Sequence, residues 1–268
     1  MNDIFNLHRF GLQFKKTLFE QPLQTFGLLG LAFIATFLLY HPYNAKTLSI
    51  SREPDTMFFI LFLSGGSLVF FLFSQFSDNA KGYNYLMLPS SYLEKWLCGF
   101  ITSCVLFFGI YLVFFRLFDS YQVTTFHREL LAKAKDYSPE MVQNYLQQVQ
   151  VQAYDSPVFK TVFSLFFIMT GVTALGSLYF NKNAFVKIFI VLMVSLWAYI
   201  YFNGVILEYF FKSIPISHTT SFDVVFLEKG GTIALPKAYR DIVDFVFYYG
   251  LPTALWLIVL IRLREKEI

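Results

Sequence analysis

Charge is scarce in this chain. Of its 268 residues only 15% are Asp, Glu, Lys or Arg, with four histidines and two cysteines. A soluble globular domain carries about a quarter charged residues, so this shortage excludes one. The basic residues are scattered and the formal net charge is only +3, which leaves nucleic-acid binding without an electrostatic footprint. Cys98 and Cys104 fall in a single apolar run. They have neither a metal-ligand spacing nor the framework of a secreted disulfide domain, and read as small core thiols. No G-x-x-x-x-G-K-[ST] phosphate loop occurs in the sequence, so no ATP or other cofactor site is expected in this chain.

What the chain has instead is apolar length. It is 56% hydrophobic and 21% aromatic, with 35 phenylalanines. Apolar runs close to the span of about 20 residues that crosses a bilayer occur six times. They cover Phe26–Tyr40, Met57–Phe76, Trp96–Phe118, Val158–Tyr179, Ile188–Leu207 and Val243–Ile261. The first lacks a small-residue cleavage site after it and is expected to be a retained anchor. Residues 1–20 form a two-faced helix: Ile4, Leu7, Phe10, Phe14 and Leu18 gather on one side, and Arg9, Gln13, Lys16 and Glu20 on the other. Next to a span, this pattern predicts a helix lying along the membrane surface. The predicted fold is therefore an all-α membrane protein: an interfacial amphipathic helix over 1–20, then a six-span domain over 21–268.

Six spans put both ends on one side. With the termini inside, the inner segments hold Arg9, Lys15, Lys16, Lys81, Lys95, Lys182, Lys187, Arg262, Arg264 and Lys266, ten of the 21 basic residues. The basic tail and the short turn at 181–187 place them close to span ends, where the positive-inside rule acts. Both termini are thus expected in the cytoplasm, the protein being integral to a bacterial inner membrane. Two segments, 119–157 and 208–242, are then extracytoplasmic. In the first, Ser138-Pro139-Glu140 reads as a helix start. In the second, Gly230-Gly231 between Val224-Val225-Phe226 and Thr232-Ile233-Ala234 suits a hairpin.

The spans contain no ionisable side chain between their ends; Arg116, Lys160, Glu208 and Asp244 mark outer ends or boundaries. Ion-coupled transporters keep such groups at membrane depth, and intramembrane enzymes need paired catalytic groups there. The chain is accordingly not expected to be an enzyme. Leu63-Ser64-Gly65-Gly66-Ser67 looks like the signature loop of ABC ATPases, but it lies inside an apolar span. Gly65, Gly66 and, in the fourth span, Gly176 read as small residues that let helix backbones approach.

The segment 77–95 between the second and third spans is different. Ser91 and Glu94 have the spacing of a capping box, and Pro89 keeps the residue before it out of helix, so the third span starts sharply here. Tyr83, Tyr85, Leu86, Met87 and Leu88 form an aromatic, apolar cluster that helix capping does not explain, the kind of patch that docks on a partner. The stretch Tyr85-Leu86-Met87-Leu88-Pro89-Ser90-Ser91-Tyr92-Leu93-Glu94-Lys95 resembles the L-x-L-P-x-S-x-x-E-K segment of six-span permease subunits of type-2, exporter-like bacterial ABC transporters. The order of parts is similar too: an elbow helix, six spans, a cytoplasmic loop after the second, and a basic-acidic tail.

The resemblance implies a subunit that pairs with a second permease subunit, in a homodimer or heterodimer, within membrane lipid. It also implies a separate ABC-type ATPase that holds ATP and magnesium and receives the loop. Tyr83, Tyr85, Leu86, Met87 and Leu88 would dock, while Pro89, Ser91, Glu94 and Lys95 complete the coupling loop and set its helix geometry. The long segment 119–157 departs from the family pattern, and no residue names a substrate. Apolar spans without buried charge suit a lipid-like or amphipathic cargo. The competing reading is a non-transporting scaffold or anchor of an envelope assembly, with 119–157 and 208–242 as its working surfaces.

Overall fold

A computed structural model describes residues 5–20, 22–40, 43–44, 49–50, 54–76, 90–134, 137–151, 153–154, 157–180, 184–210, 216–221, 224–227, 232–234 and 237–267. Within them the chain is predominantly helical. Helix α1 (Leu7–Glu20) is followed by α2 (Pro22–Leu39). A two-residue strand pair, β1 (Tyr43–Asn44) with β2 (Ser49–Ile50), leads to α3 (Pro54–Ser74). Next comes α4 (Tyr92–Ala132), a continuous helix of 41 residues whose Ile101–Phe107 stretch is π-helical. Helices α5 (Pro139–Gln148), α6 (Pro157–Tyr179) and α7 (Ala184–Phe210) follow. Strands β3 (Ile216–Ser221), β4 (Val224–Leu227) and β5 (Thr232–Ala234) form a small antiparallel sheet. The pairing of β4 with β5, Val225 opposite Ile233, lies where the sequence suggests a hairpin. The last helix, α8, runs through residues 237–267 without a break, with a π-helical turn at Val246–Gly250.

Five of these helices are long and apolar enough to cross a membrane: Pro22–Leu39, Met57–Ser74, Tyr92–Ala132, Phe159–Tyr179 and Val246–Lys266. This is the architecture of an integral membrane protein. Helix α7 is 27 residues long, and its Ala184–Ser195 portion is an apolar helix too short to count with the five. Half of the spanning part of α6 is buried inside the protein, against 17% for α2. The core therefore sits around α3, α4 and α6, while α2 presents most of its surface sideways.

Because lipid is as apolar as leucine, burying apolar area does little to hold such helices together; close backbone approach and hydrogen bonds do. A Cβ on Gly65 would stand 2.5 Å from the Phe166 ring, and one on Gly176 2.4 Å from Ile188, so only glycine lets α3, α6 and α7 pack as they do. Gly66 departs from the expectation for it: its Cβ would meet Thr173 at 3.8 Å, an ordinary contact that demands no glycine. Gly99, which the sequence reading passes over, is similarly constrained, facing Phe73 at 2.7 Å, and Gly171 less so, facing Leu255 at 3.0 Å.

Several buried hydroxyls donate to their own helices. Ser64 donates to the Ile60 carbonyl at 2.6 Å, Ser103 to Gly99 at 2.8 Å and Thr170 to Phe166 at 2.7 Å. Such bonds to the preceding turn let polar residues sit at membrane depth without water. Cys98 and Cys104 are both free and buried.

The third predicted span differs from the structure at its far end. The sequence places its end at Phe118 and reads residues 119–157 as a helical segment of its own; in the structure one helix continues to Ala132. Its extension does not stand alone. Val123, Phe126 and Leu130 form a second small core with Val142 and Val149 of the α5 hairpin. Helix α5 starts at Ser138, whose hydroxyl accepts the Met141 N–H at 3.4 Å, with Pro139 in the first turn.

Candidate functional site

Several helix ends meet where α4 begins. Ser91 is extended, with φ −71° and ψ 158°, and caps α4: its hydroxyl accepts the Glu94 N–H at 3.2 Å. Glu94 Oε2 in turn accepts the Ser91 N–H at 2.9 Å, completing the box. Its other oxygen, Oε1, is taken by a different helix. The Asn6 backbone N–H donates to it at 2.7 Å and the Arg9 guanidinium at 3.3 Å. Asn6 is itself the cap of α1, its side-chain oxygen accepting the His8 N–H at 2.9 Å.

One fully buried carboxylate thus sits at two helix N-termini at once. Each N-terminus brings unpaired N–H groups and the positive end of a helix dipole, so a negative charge is favoured from both sides.

The contact continues along α1. Ser90 Oγ donates to Gln13 Oε1 at 3.5 Å, and Cys98 Sγ to Thr17 Oγ1 at 3.2 Å. Asn6, Arg9, Gln13 and Thr17 are spaced by three, four and four residues, so they form one stripe. That stripe faces α4, and Gln13 is only 5% exposed. Leu7, Leu12 and Phe19 point outward instead, exposed by 78%, 59% and 64%. Of the polar face that the sequence predicts, Arg9 and Gln13 turn into the protein, whereas Lys16 and Glu20 form an exposed pair at 3.8 Å.

Basic residues from other helices collect at the same end. The Arg264 guanidinium lies 5.9 Å from the Tyr92 ring centroid, and Arg262 lies 4.4 Å from that of Tyr179. Lys266 Nζ donates to the Phe76 carbonyl at 3.3 Å, tying the end of α8 to the end of α3. Just beneath, Trp96 donates its indole N–H to the Trp256 carbonyl at 3.0 Å, and Trp256 to the Phe167 carbonyl at 3.3 Å. Phe100 packs edge-on to Trp256 with centroids 4.9 Å apart. This indole layer fixes α4, α6 and α8 relative to one another.

The chain matches no family model, no curated protein and no solved structure. The reading of this end therefore rests on its geometry. Of the sequence-predicted coupling loop, Ser91, Glu94 and Lys95 lie together at the start of α4, with Lys95 also buried. Tyr83, Tyr85, Leu86, Met87, Leu88 and Pro89 lie outside the described residues. Gly65 and Gly176 pack against Phe166 and Ile188 and touch none of these polar groups.

The sequence reading missed the partners of Glu94. Arg9 and Gln13 belong to the predicted polar face of a surface-lying helix, with no partner named for it, and Asn6 and Thr17 to neither predicted face. The available signal was the presence of uncharged Asn, Gln and Thr in that stripe; a face meant only for water or lipid headgroups has no need of them. The assembly joins two helix starts through a buried carboxylate with donors on both oxygens.

Proposed function

We propose that this chain is the membrane subunit of an ATP-driven ABC exporter. In this reading it has six spans, α7 being the fifth, with both termini on the cytoplasmic face of a bacterial inner membrane. A separate ATPase binds ATP with magnesium and docks on the segment 77–95, and a second permease subunit completes the pore. Closure of the ATPase pair displaces that segment, and the spans rock between two arrangements around a lipid-like or amphipathic cargo.

The observation that carries the proposal is the Ser91–Glu94 box. It turns the end of the 77–95 segment into the rigid start of the longest helix, so a push on the segment acts on a lever rather than on a slack loop. The basic residues gathered at this end, Arg9, Arg262, Arg264 and Lys266, agree with a cytoplasmic placement.

The test is purification in mild detergent with candidate ATPases. A Walker-motif protein should co-purify in fixed ratio, and its ATPase rate should rise when the complex is reconstituted. Changing Leu86 and Met87 together to alanine should abolish that rise. Reproducible absence of an ATP-binding partner refutes the exporter and leaves the scaffold.

A further inference from the structure

The polar contacts between α1, α2 and α4 form a closed figure. At one end Glu94 grips Asn6 and Arg9, joining α1 to α4. Between α1 and α2, Thr25 of α2 donates to the Leu18 carbonyl of α1 at 3.3 Å. Midway along, the Thr36 and Tyr111 hydroxyls meet at 2.9 Å in a buried site, while Phe33 stacks on Phe114 with centroids 4.0 Å apart. At the far end Tyr40 donates to Asp119 Oδ1 at 3.2 Å, both residues buried. Three elements are thus pinned at three depths. A hydrogen bond in an apolar medium tolerates little sliding, because a donor pulled from its acceptor finds no water to replace it.

We propose that α1, α2 and α4 move as one rigid body, with Glu94 as the clamp that carries α1 along with the start of α4. The alternative arrangement has α1 floating in the headgroup layer while α4 moves past it. The polar stripe argues against this, because sliding would strand Glu94 and Gln13 without their partners. The consequence for transport rests on the coupling reading above: displacement of residues 77–95 would be delivered undivided to the Asp119 end. The clamp itself does not depend on that reading.

The experiment uses the full-length chain in native membranes. Thr17→Cys places a second thiol beside native Cys98, whose Sγ already lies 3.2 Å from the Thr17 hydroxyl. Copper-phenanthroline should then consume these two thiols rapidly, read as a fall from three maleimide-reactive thiols to one, Cys104, after denaturation, with Cys98→Ser as the control that prevents it. Adding Arg9→Ala, a change at a partly exposed side chain that spares the fold, should slow cross-linking about fivefold. Glu94→Ala should slow it further, since three donors lose their acceptor together. Equal rates in all three backgrounds would overturn the clamp.

In the ATPase complex, the cross-linked chain should stimulate ATP hydrolysis as well as the reduced one. Stimulation lost on cross-linking and restored by dithiothreitol would mean that α1 and α4 must part, and the one-body proposal fails. If no ATPase partner exists, the exporter reading falls, while the cross-linking rates still decide the clamp.

Discussion

Glu94 and Asp119 are both buried carboxylates on α4, 25 residues apart, or about 38 Å at the helical rise. They bracket a charge-poor stretch comparable to the hydrocarbon thickness of about 30 Å. Yet they are held by different means. Glu94 lies in the first turn of its helix, where backbone N–H groups have no partner above them, and it receives two such groups from two helices. Asp119 lies inside a continuous helix, where the N–H groups are spent on the preceding turn. It therefore depends on side chains, among them the Tyr40 hydroxyl. Arg116 and Tyr154 stand close by, with the guanidinium 5.3 Å from the Tyr154 ring centroid. Burial raises the Tyr154 phenol above its usual pKa; Arg116 opposes that shift and Asp119 adds to it. A carboxylate at a helix start can organise backbone, whereas one in mid-helix can only organise side chains.

The largest test of that difference is Glu94→Ala. It removes an acceptor shared by two helix caps and an arginine, and should lower stability by about 3 kcal/mol. The check is the thermal unfolding midpoint in detergent. A loss no greater than that of an ordinary surface change would erase the distinction between the two ends.

Gly176→Ala acts at the same end by a different route, forcing a methyl against buried Ile188, at a cost of about 1–3 kcal/mol. Its signature is a fall in midpoint without any change in the Thr17→Cys cross-linking rate, because α6 and α7 are displaced rather than α1.

Tyr40→Phe at the other end deletes one hydroxyl and should cost about 1 kcal/mol. A cost equal to that of Glu94→Ala, by the same melting measurement, would show that the side-chain node carries as much as the backbone one.

Much of this architecture was legible in the sequence. Apolar runs located the five helices long and apolar enough to cross a membrane, because a bilayer imposes length and composition on whatever crosses it. The Ser91–Glu94 box was legible because capping is a local matter settled within four residues, and the same holds for Ser138-Pro139 at the start of α5. Other features were not. The apolar run of the third span stops at Phe118; the buried Asp119 beyond it is bonded by Tyr40, 79 residues away in sequence. The extension to Ala132 is supported by Val142 and Val149, which no local pattern connects to Val123. Gly65 and Gly66 were equivalent as neighbours in a small-residue run, and only the position of Phe166 separates them.

The sequence by itself determined that the chain crosses a membrane, that its spans lack ionisable side chains between their ends, and that α4 begins at a cap. Each follows from composition or from contacts within a turn. Only the tertiary structure decided which way α1 faces. An amphipathic helix offers two faces, and periodicity alone cannot say which of them meets protein. Here Glu94, 85 residues beyond Arg9, draws the Asn6–Arg9 end of α1 inward, because a buried carboxylate at a helix start needs donors and α1 supplies them.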